Sequence, residues 1–170
     1  DHRGTGQSDA PPGPYDLATL VTDLEAVLSD AGVESVHLAG LGLGGIVALE
    51  YARDHARAET LTLLGAGADA DSVDPMALYA PRADPDALRE TTERALSDEF
   101  VERFPEAVED VETWRADDDA DEEGWAAQSA AIDGYEVEDP YEITTSALVL
   151  HGTDDERRPT AGGRARASDL

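Results

Sequence analysis

Apolar residues recur along the chain in two rhythms. Leu17, Leu20, Val21, Leu24, Val27 and Leu28 recur at spacings of three (17–20, 21–24, 24–27) and four (17–21, 20–24, 24–28). That spacing draws a stripe along one side of a helix of about four turns. Asp16 stands where an N-cap belongs and Gly32 where the helix should stop. An extended apolar run from Ser35 to Ala39 then predicts a buried strand, and Ile46, Val47, Leu49, Tyr51 and Ala52 restart a helical pattern that lasts to about Asp54. Leu61 to Leu64, bounded by Gly65-Ala66-Gly67, reads as a second strand. Helix, strand, helix, strand is the order of an α/β fold, a parallel sheet covered on both faces.

Beyond position 68 the rhythm changes. Strand-like runs vanish and helical patterns take over: Ala87 to Leu96, Phe100 to Phe104, Val108 to Trp114 and Trp125 to Ile132. Ser146 to Leu150 restores a strand, with Ala147-Leu148-Val149-Leu150 as its apolar heart. The helical stretch therefore reads as an insertion between two strands of one sheet.

The junction of the first predicted strand and the next helix carries four glycines within six residues, at Gly40, Gly42, Gly44 and Gly45. A strand that turns sharply into a helix puts chemistry at the turn, and two kinds of site use that geometry. Gly40, Gly42 and Gly45 satisfy Gly-x-Gly-x-x-Gly, in which backbone amides at a helix N-terminus hold a pyrophosphate. That reading expects an acidic residue about twenty positions on, at the end of the next strand. The first acid after Leu64-Gly65 is Asp69, and a loop and a long helix precede the glycines where the first strand of such a domain is expected.

Three segments in order point elsewhere. Asp1-His2-Arg3-Gly4-Thr5-Gly6-Gln7-Ser8 resembles the Asp-x-Arg-Gly-x-Gly-x-Ser loop of the α/β-hydrolase family. Gly40 to Gly44 resembles its nucleophile elbow, Gly-x-Ser-x-Gly, and Gly152-Thr153-Asp154-Asp155 with Pro159 resembles the turn carrying its triad acid. The resemblance covers nearly the whole chain and is nearest to the small-substrate esterases and enol-lactonases.

It implies a partial hydrolase sheet as core, residues 1–68 and 143–170, under a helical cap, residues 69–142. Cap aromatics such as Trp114, Trp125, Phe100, Phe104 and Tyr135 become candidates to line a substrate pocket, with ordinary helix packing as the alternative. The resemblance also assigns positions in the catalytic machinery. Gly42 occupies the nucleophile position, Leu43 supplies one oxyanion N–H, and Asp155 holds the acid position with Asp154 as fallback.

The departures are as informative as the matches. Glycine has no attacking atom. The family's chain order is nucleophile, acid, histidine, yet the histidines are His2, His37, His55 and His151, none beyond Asp155, and Glu156-Arg157-Arg158 replaces the usual apolar residues before the proline. His2 reads as a loop residue and His37 as a packed one. The chain begins in mid-motif at Asp1, so it reads as a fragment whose first strands and last strand and helix lie elsewhere. Open sheet edges then predict self-association. The expectation is a protein without turnover as given, a binder of small ester-like or lactone-like molecules. The alternatives are an active hydrolase in its complete form, with a nucleophile not visible here, and the nucleotide module.

Charge alters the setting. Asp and Glu number 39 against 12 basic residues, all of them Arg, for a formal net charge of -27. Such a surface repels nucleic acid and anionic membranes. Acidic excess without lysine resembles proteins of haloarchaeal type, adapted to molar intracellular salt. Self-repulsion is tolerable where the Debye length is about 3 Å, at 1 M salt, and far less so at about 10 Å, in 0.1 M. The run Asp117 to Glu123 does not make a calcium loop, because Glu122 and Gln128 stand where glycine and glutamate are required. Without cysteine there is no disulfide framework or thiolate metal site, and neither metal nor cofactor is expected. With no long apolar run and no signal-like start, the expected location is cytoplasmic.

Overall fold

The computed structural model describes residues 1–67, 75–138 and 140–152. Helix α1 spans Leu17–Asp30, strand β1 Val36–Leu41, α2 Leu43–Asp54 and β2 Ala58–Leu64; α3 (Pro85–Glu93), α4 (Asp98–Arg103), α5 (Pro105–Asp118) and α6 (Glu122–Ala130) follow, and then β3, Ser146–Leu150. The three strands form one parallel sheet in the order β1-β2-β3. This is the α/β architecture the alternation implied, with the helical series inserted between β2 and β3.

The chain divides into two compact units, Asp1–Tyr15 with Asp74–Ala131, and Asp16–Val73 with Ile132–Leu170. The second holds the sheet. Its α1 starts as its sequence dictates: the Asp16 carboxylate accepts from the Thr19 amide at 2.7 Å, and Gly32, at φ 65°, turns the chain out of the helix. Leu20, Val21 and Leu28 are buried, whereas Val27 is 64% exposed. At 3.6 residues per turn Val27 lies about 80° from the centre of the stripe, which leaves it on the flank in water.

Helix α2 is the core of this unit. Every residue from Gly45 to Ala52 is buried, because β1 and β2 cover one side and α1 packs against it as well. Tyr51 is fully buried, yet its hydroxyl donates to Glu25 on α1 at 2.7 Å, and Arg57 pairs with the same carboxylate at 3.3 Å. Burial and the adjacent Glu25 push the Tyr51 phenol up to about 12, so it stays a donor.

The expectation of a packed His37 does not hold. Its side chain is 71% exposed, its Nδ1 lies 2.9 Å from Thr60 Oγ1, and its Nε2 lies 3.6 Å from Glu59. Strand β1 pairs only with β2 among the described residues, so alternate side chains along it face solvent.

In the other unit short polar side chains cap helices. Asp84, Ser97 and Asp121 each accept from a first-turn amide of α3, α4 and α6. Arg115 ties this unit together: its guanidinium donates to Leu78 O at 2.7 Å, to Thr91 and Thr92 Oγ1 at 2.9 Å each, and to Asp119 at 2.8 Å. The loop Asp1 to Ser8, grouped by sequence with the sheet, clusters here. Gly6 N–H donates to Asp118 O at 2.8 Å and the Gln128 amide to Arg3 O at 2.8 Å. Among the described residues no helix is long and apolar enough to cross a membrane, and no three His, Cys, Asp or Glu side chains gather as a metal site.

Candidate functional site at the β1–α2 corner

Strand β1 runs two residues past its expected end and stops at Leu41; α2 begins at Leu43. Gly42 alone makes the corner. Its φ of 52° and ψ of -119° are accessible to glycine and strained for any other residue. Its N–H donates to Leu64 O at 3.0 Å, which pins the corner to the end of β2, and its own carbonyl accepts from Gly45 and Ile46 at 3.0 and 3.2 Å.

The flanking glycines are required for a different reason, close approach. A Cβ on Gly40 would sit 2.3 Å from Gly44 O and 2.5 Å from Gly45 N, and one on Gly45 would sit 2.4 Å from Ala66 Cβ. At Gly42 the opposite holds: a Cβ there would meet nothing within 4 Å. The fold thus compresses the backbone on both sides of a position whose side-chain direction is open.

Two donors face that corner. The amides of Leu43 and Gly44 lie in the first turn of α2, and among the described residues no carbonyl or side chain accepts from them. Unsatisfied first-turn amides carry the positive end of the helix dipole and suit an anion or a polarised carbonyl oxygen.

The parallel register brings the end of β3 to the same side. Leu41 pairs with Leu64 and Leu64 with Leu150, so the chain leaving Leu150 through His151 and Gly152 starts two strands, about 10 Å, from the corner. Gly65 N–H donates to Leu150 O at 3.0 Å and fastens that edge. Asp154 and Asp155, the expected acid positions, lie outside the described residues.

The aromatic candidates separate. Trp114 is 64% exposed, while Phe100 and Phe104 pack on each other at 5.1 Å between ring centres. Trp125 meets Tyr79 edge-on at 6.2 Å. Tyr135 belongs to the sheet unit, where it packs with Leu17 and Leu43 around the buried pair Ile46 and Ile132.

Sequence reasoning did not single out Glu50. It is buried on α2, accepts from the Tyr135 hydroxyl at 3.0 Å, and is gripped by Arg53 at 3.1 and 2.8 Å. Burial raises its carboxyl above the ordinary range, against the opposing pull of Tyr135 and Arg53. The only available signal was Glu-x-x-Arg on a helix, and that usually marks a surface pair.

Comparison with known proteins places this corner in a family. Residues 1–169 match the family described as "Alpha/beta hydrolase family". A putative carbamate hydrolase, RutD of Azorhizobium caulinodans, is 40% identical over 72 residues, 42% of this chain and 27% of that protein. The AB hydrolase superfamily protein YisY of Bacillus subtilis is 39% identical over 84 residues, 48% of this chain and 31% of that one. Among solved structures, the enol-lactonase of Burkholderia xenovorans superposes with a TM-score of 0.81 at 28% identity, over 96% of this chain and 65% of its own. A thermophilic esterase from Thermogutta terrifontis gives 0.78 at 25% identity, over 100% and 66%. The chain thus spans about two thirds of the structures it resembles and less than a third of these two curated relatives. A match along nearly every residue, joined to a parallel sheet with a strand-to-helix corner, shows that the chain belongs to the alpha/beta hydrolase family.

Proposed function

We propose that this chain is a hydrolase-family scaffold that binds small acyl or lactone-like molecules and carries out no covalent acyl transfer, because Gly42 stands where the nucleophile belongs. One observation carries the reading. The corner holds the strained geometry, φ 52° and ψ -119°, at a residue with no side chain, and the space a side chain would enter is open. Family mechanism needs an attacking atom, a histidine to take its proton, an acid to orient it and donors for the oxyanion. Of these, the Leu43 amide is the donor this chain supplies at the corner, and Asp155, with Asp154 in reserve, is the acid position. Residues 69–142 are assigned as the cap on the same family resemblance.

The names of the relatives suggest the ligand class. An enol-lactonase, an esterase and a putative carbamate hydrolase are named for compounds with a carbonyl between a carbon and a heteroatom, or between two heteroatoms. A first-turn amide N–H at the corner would donate to such an oxygen.

The test is direct. In molar KCl the protein should leave p-nitrophenyl acetate unhydrolysed above background and take no label from a fluorophosphonate probe. Steady hydrolysis abolished by Asp155→Asn would overturn the reading. Calorimetry with NAD or ATP addresses the glycine pattern separately, and saturable binding at Gly40 to Gly45 would replace the acyl reading with a nucleotide one.

A further inference from the structure

The sheet unit has a second concave region, at the end of the sheet opposite the Gly42 corner. An open cavity of about 540 Å³ is lined by Arg53, Asp54 and His55 where α2 ends, by Glu59 near the start of β2, and by Glu142 and Thr145 on the approach to β3. All of these residues belong to that one unit. Sites for small molecules occupy about 300–1,000 Å³, and this cavity falls within that range. The 12 residues of α2 separate it from the corner by about 18 Å.

The lining is rich in acceptors and poor in donors. Its guanidinium, from Arg53, is already spent: it donates to Asp54 at 2.9 and 3.2 Å and holds Glu50 at 3.1 and 2.8 Å. Glu59 lies 3.6 Å from His37 Nε2, and Glu142 has no hydrogen bond or ion pair among the described residues. Thr145 donates its hydroxyl proton to Ala58 O at 3.4 Å, which leaves its oxygen as an acceptor. The carbonyls of Ala52, Arg53 and Asp54 close the helix, and among the described residues nothing donates to them. They form the negative end of the helix dipole, which favours a cation. His55 stacks on Tyr51 at 4.3 Å between ring centres, and its Nδ1 is buried with no hydrogen-bond partner.

We propose that this cavity binds a small organic cation carrying N–H donors, a primary ammonium compound. Such a ligand supplies what the lining lacks, positive charge and donors together. Its N–H groups bond Glu142, Glu59 and the open carbonyls at the end of α2, and hydrogen bonds from a cation to a carboxylate are about twice as strong as neutral ones. A quaternary ammonium brings the same charge and no donor, so the site rejects it. The cavity and the corner lie at opposite ends of α2, so this site stands whether or not the acyl or lactone reading does.

The experiment is titration calorimetry in molar KCl, where the general attraction of a chain with net charge -27 for any cation is screened within about 3 Å. The probes are 1,4-diammoniobutane and its bis(trimethylammonium) analogue, equal in charge. The diammonium should bind saturably and at least about 10-fold more tightly than the quaternary compound, because only it can donate. Glu142→Gln, at an exposed position, should cost about 10-fold in that affinity. Glu109→Gln on α5 makes the same change in net charge in the other unit and should stay within about twofold, with folding of both variants checked by circular dichroism. Equal affinity for the two probes overturns the proposal, and so does no binding of the diammonium. A loss in Glu109→Gln as large as in Glu142→Gln overturns it too, because attraction to overall charge then accounts for the binding.

Discussion

Gly42 is the position at which geometry and chemistry can be separated by substitution. Replacing it with Ala or Ser adds a Cβ that meets nothing within 4 Å, so the whole cost is backbone strain at φ 52° and ψ -119°. Such strain is worth about 1–3 kcal/mol. Loss of glycine's freedom in the unfolded chain returns about 0.4–1 kcal/mol. The net destabilisation should be about 1–2 kcal/mol, or roughly 2–8 °C in Tm for a chain of this size. Ala and Ser should carry the same backbone strain, because the Cβ of either enters open space. Gly40→Ala supplies the contrast: its Cβ would lie 2.3 Å from Gly44 O and 2.5 Å from Gly44 C, backbone atoms that cannot swing aside. Overpacking of that kind costs about 1–3 kcal/mol or more, with no left-handed conformation to blame. Urea titrations in constant molar KCl, followed by far-ultraviolet circular dichroism and tryptophan fluorescence with coincident transitions, measure all three. A neutral or stabilising Gly42→Ala would refute the strain argument. A difference above about 1 kcal/mol between Ala and Ser would refute the claim of open space.

Salt should govern stability: with a net charge of -27, lowering KCl from about 3 M to 0.1 M lengthens the Debye screening distance to about 10 Å and should melt the secondary structure. Circular dichroism unchanged across that range would contradict it. Glu50 sets a pH trend with a definite sign. Its folded carboxyl titrates above the unfolded one, so the stability it lends is complete at low pH and declines as pH rises through the folded value. The stability of the intact chain relative to Glu50→Gln should therefore fall as pH rises past the ordinary glutamate value of about 4, and a rise in the urea midpoint difference there would reverse the assignment. Self-association is the last expectation, since Leu41, Leu148 and Leu150 are 73%, 55% and 45% exposed along the sheet. A compact monomer at all concentrations in gel filtration would exclude it.

Much of the architecture was legible in the order of residues. Steps of three and four set α1 and α2, and the apolar runs at positions 35–39, 61–64 and 146–150 lie in strands that span 36–41, 58–64 and 146–150. Asp16 caps α1 where its position predicted, because a short acceptor at the N-cap satisfies a first-turn amide by purely local geometry. The Gly40 to Gly45 pattern located the corner, since only glycine permits both the positive φ and the backbone contacts. Tertiary structure alone decided which parts of these patterns face water. Val27 and His37 followed apolar or buried runs in sequence, yet one lies on the flank of its helix and the other on a border strand. Glu50 drew no reading from the sequence, yet it is buried and takes a hydrogen bond from Tyr135, 85 positions later. Periodicity reports contacts within an element, where spacing is constant. Burial and pairing between elements depend on which distant segments return, and no local pattern carries that.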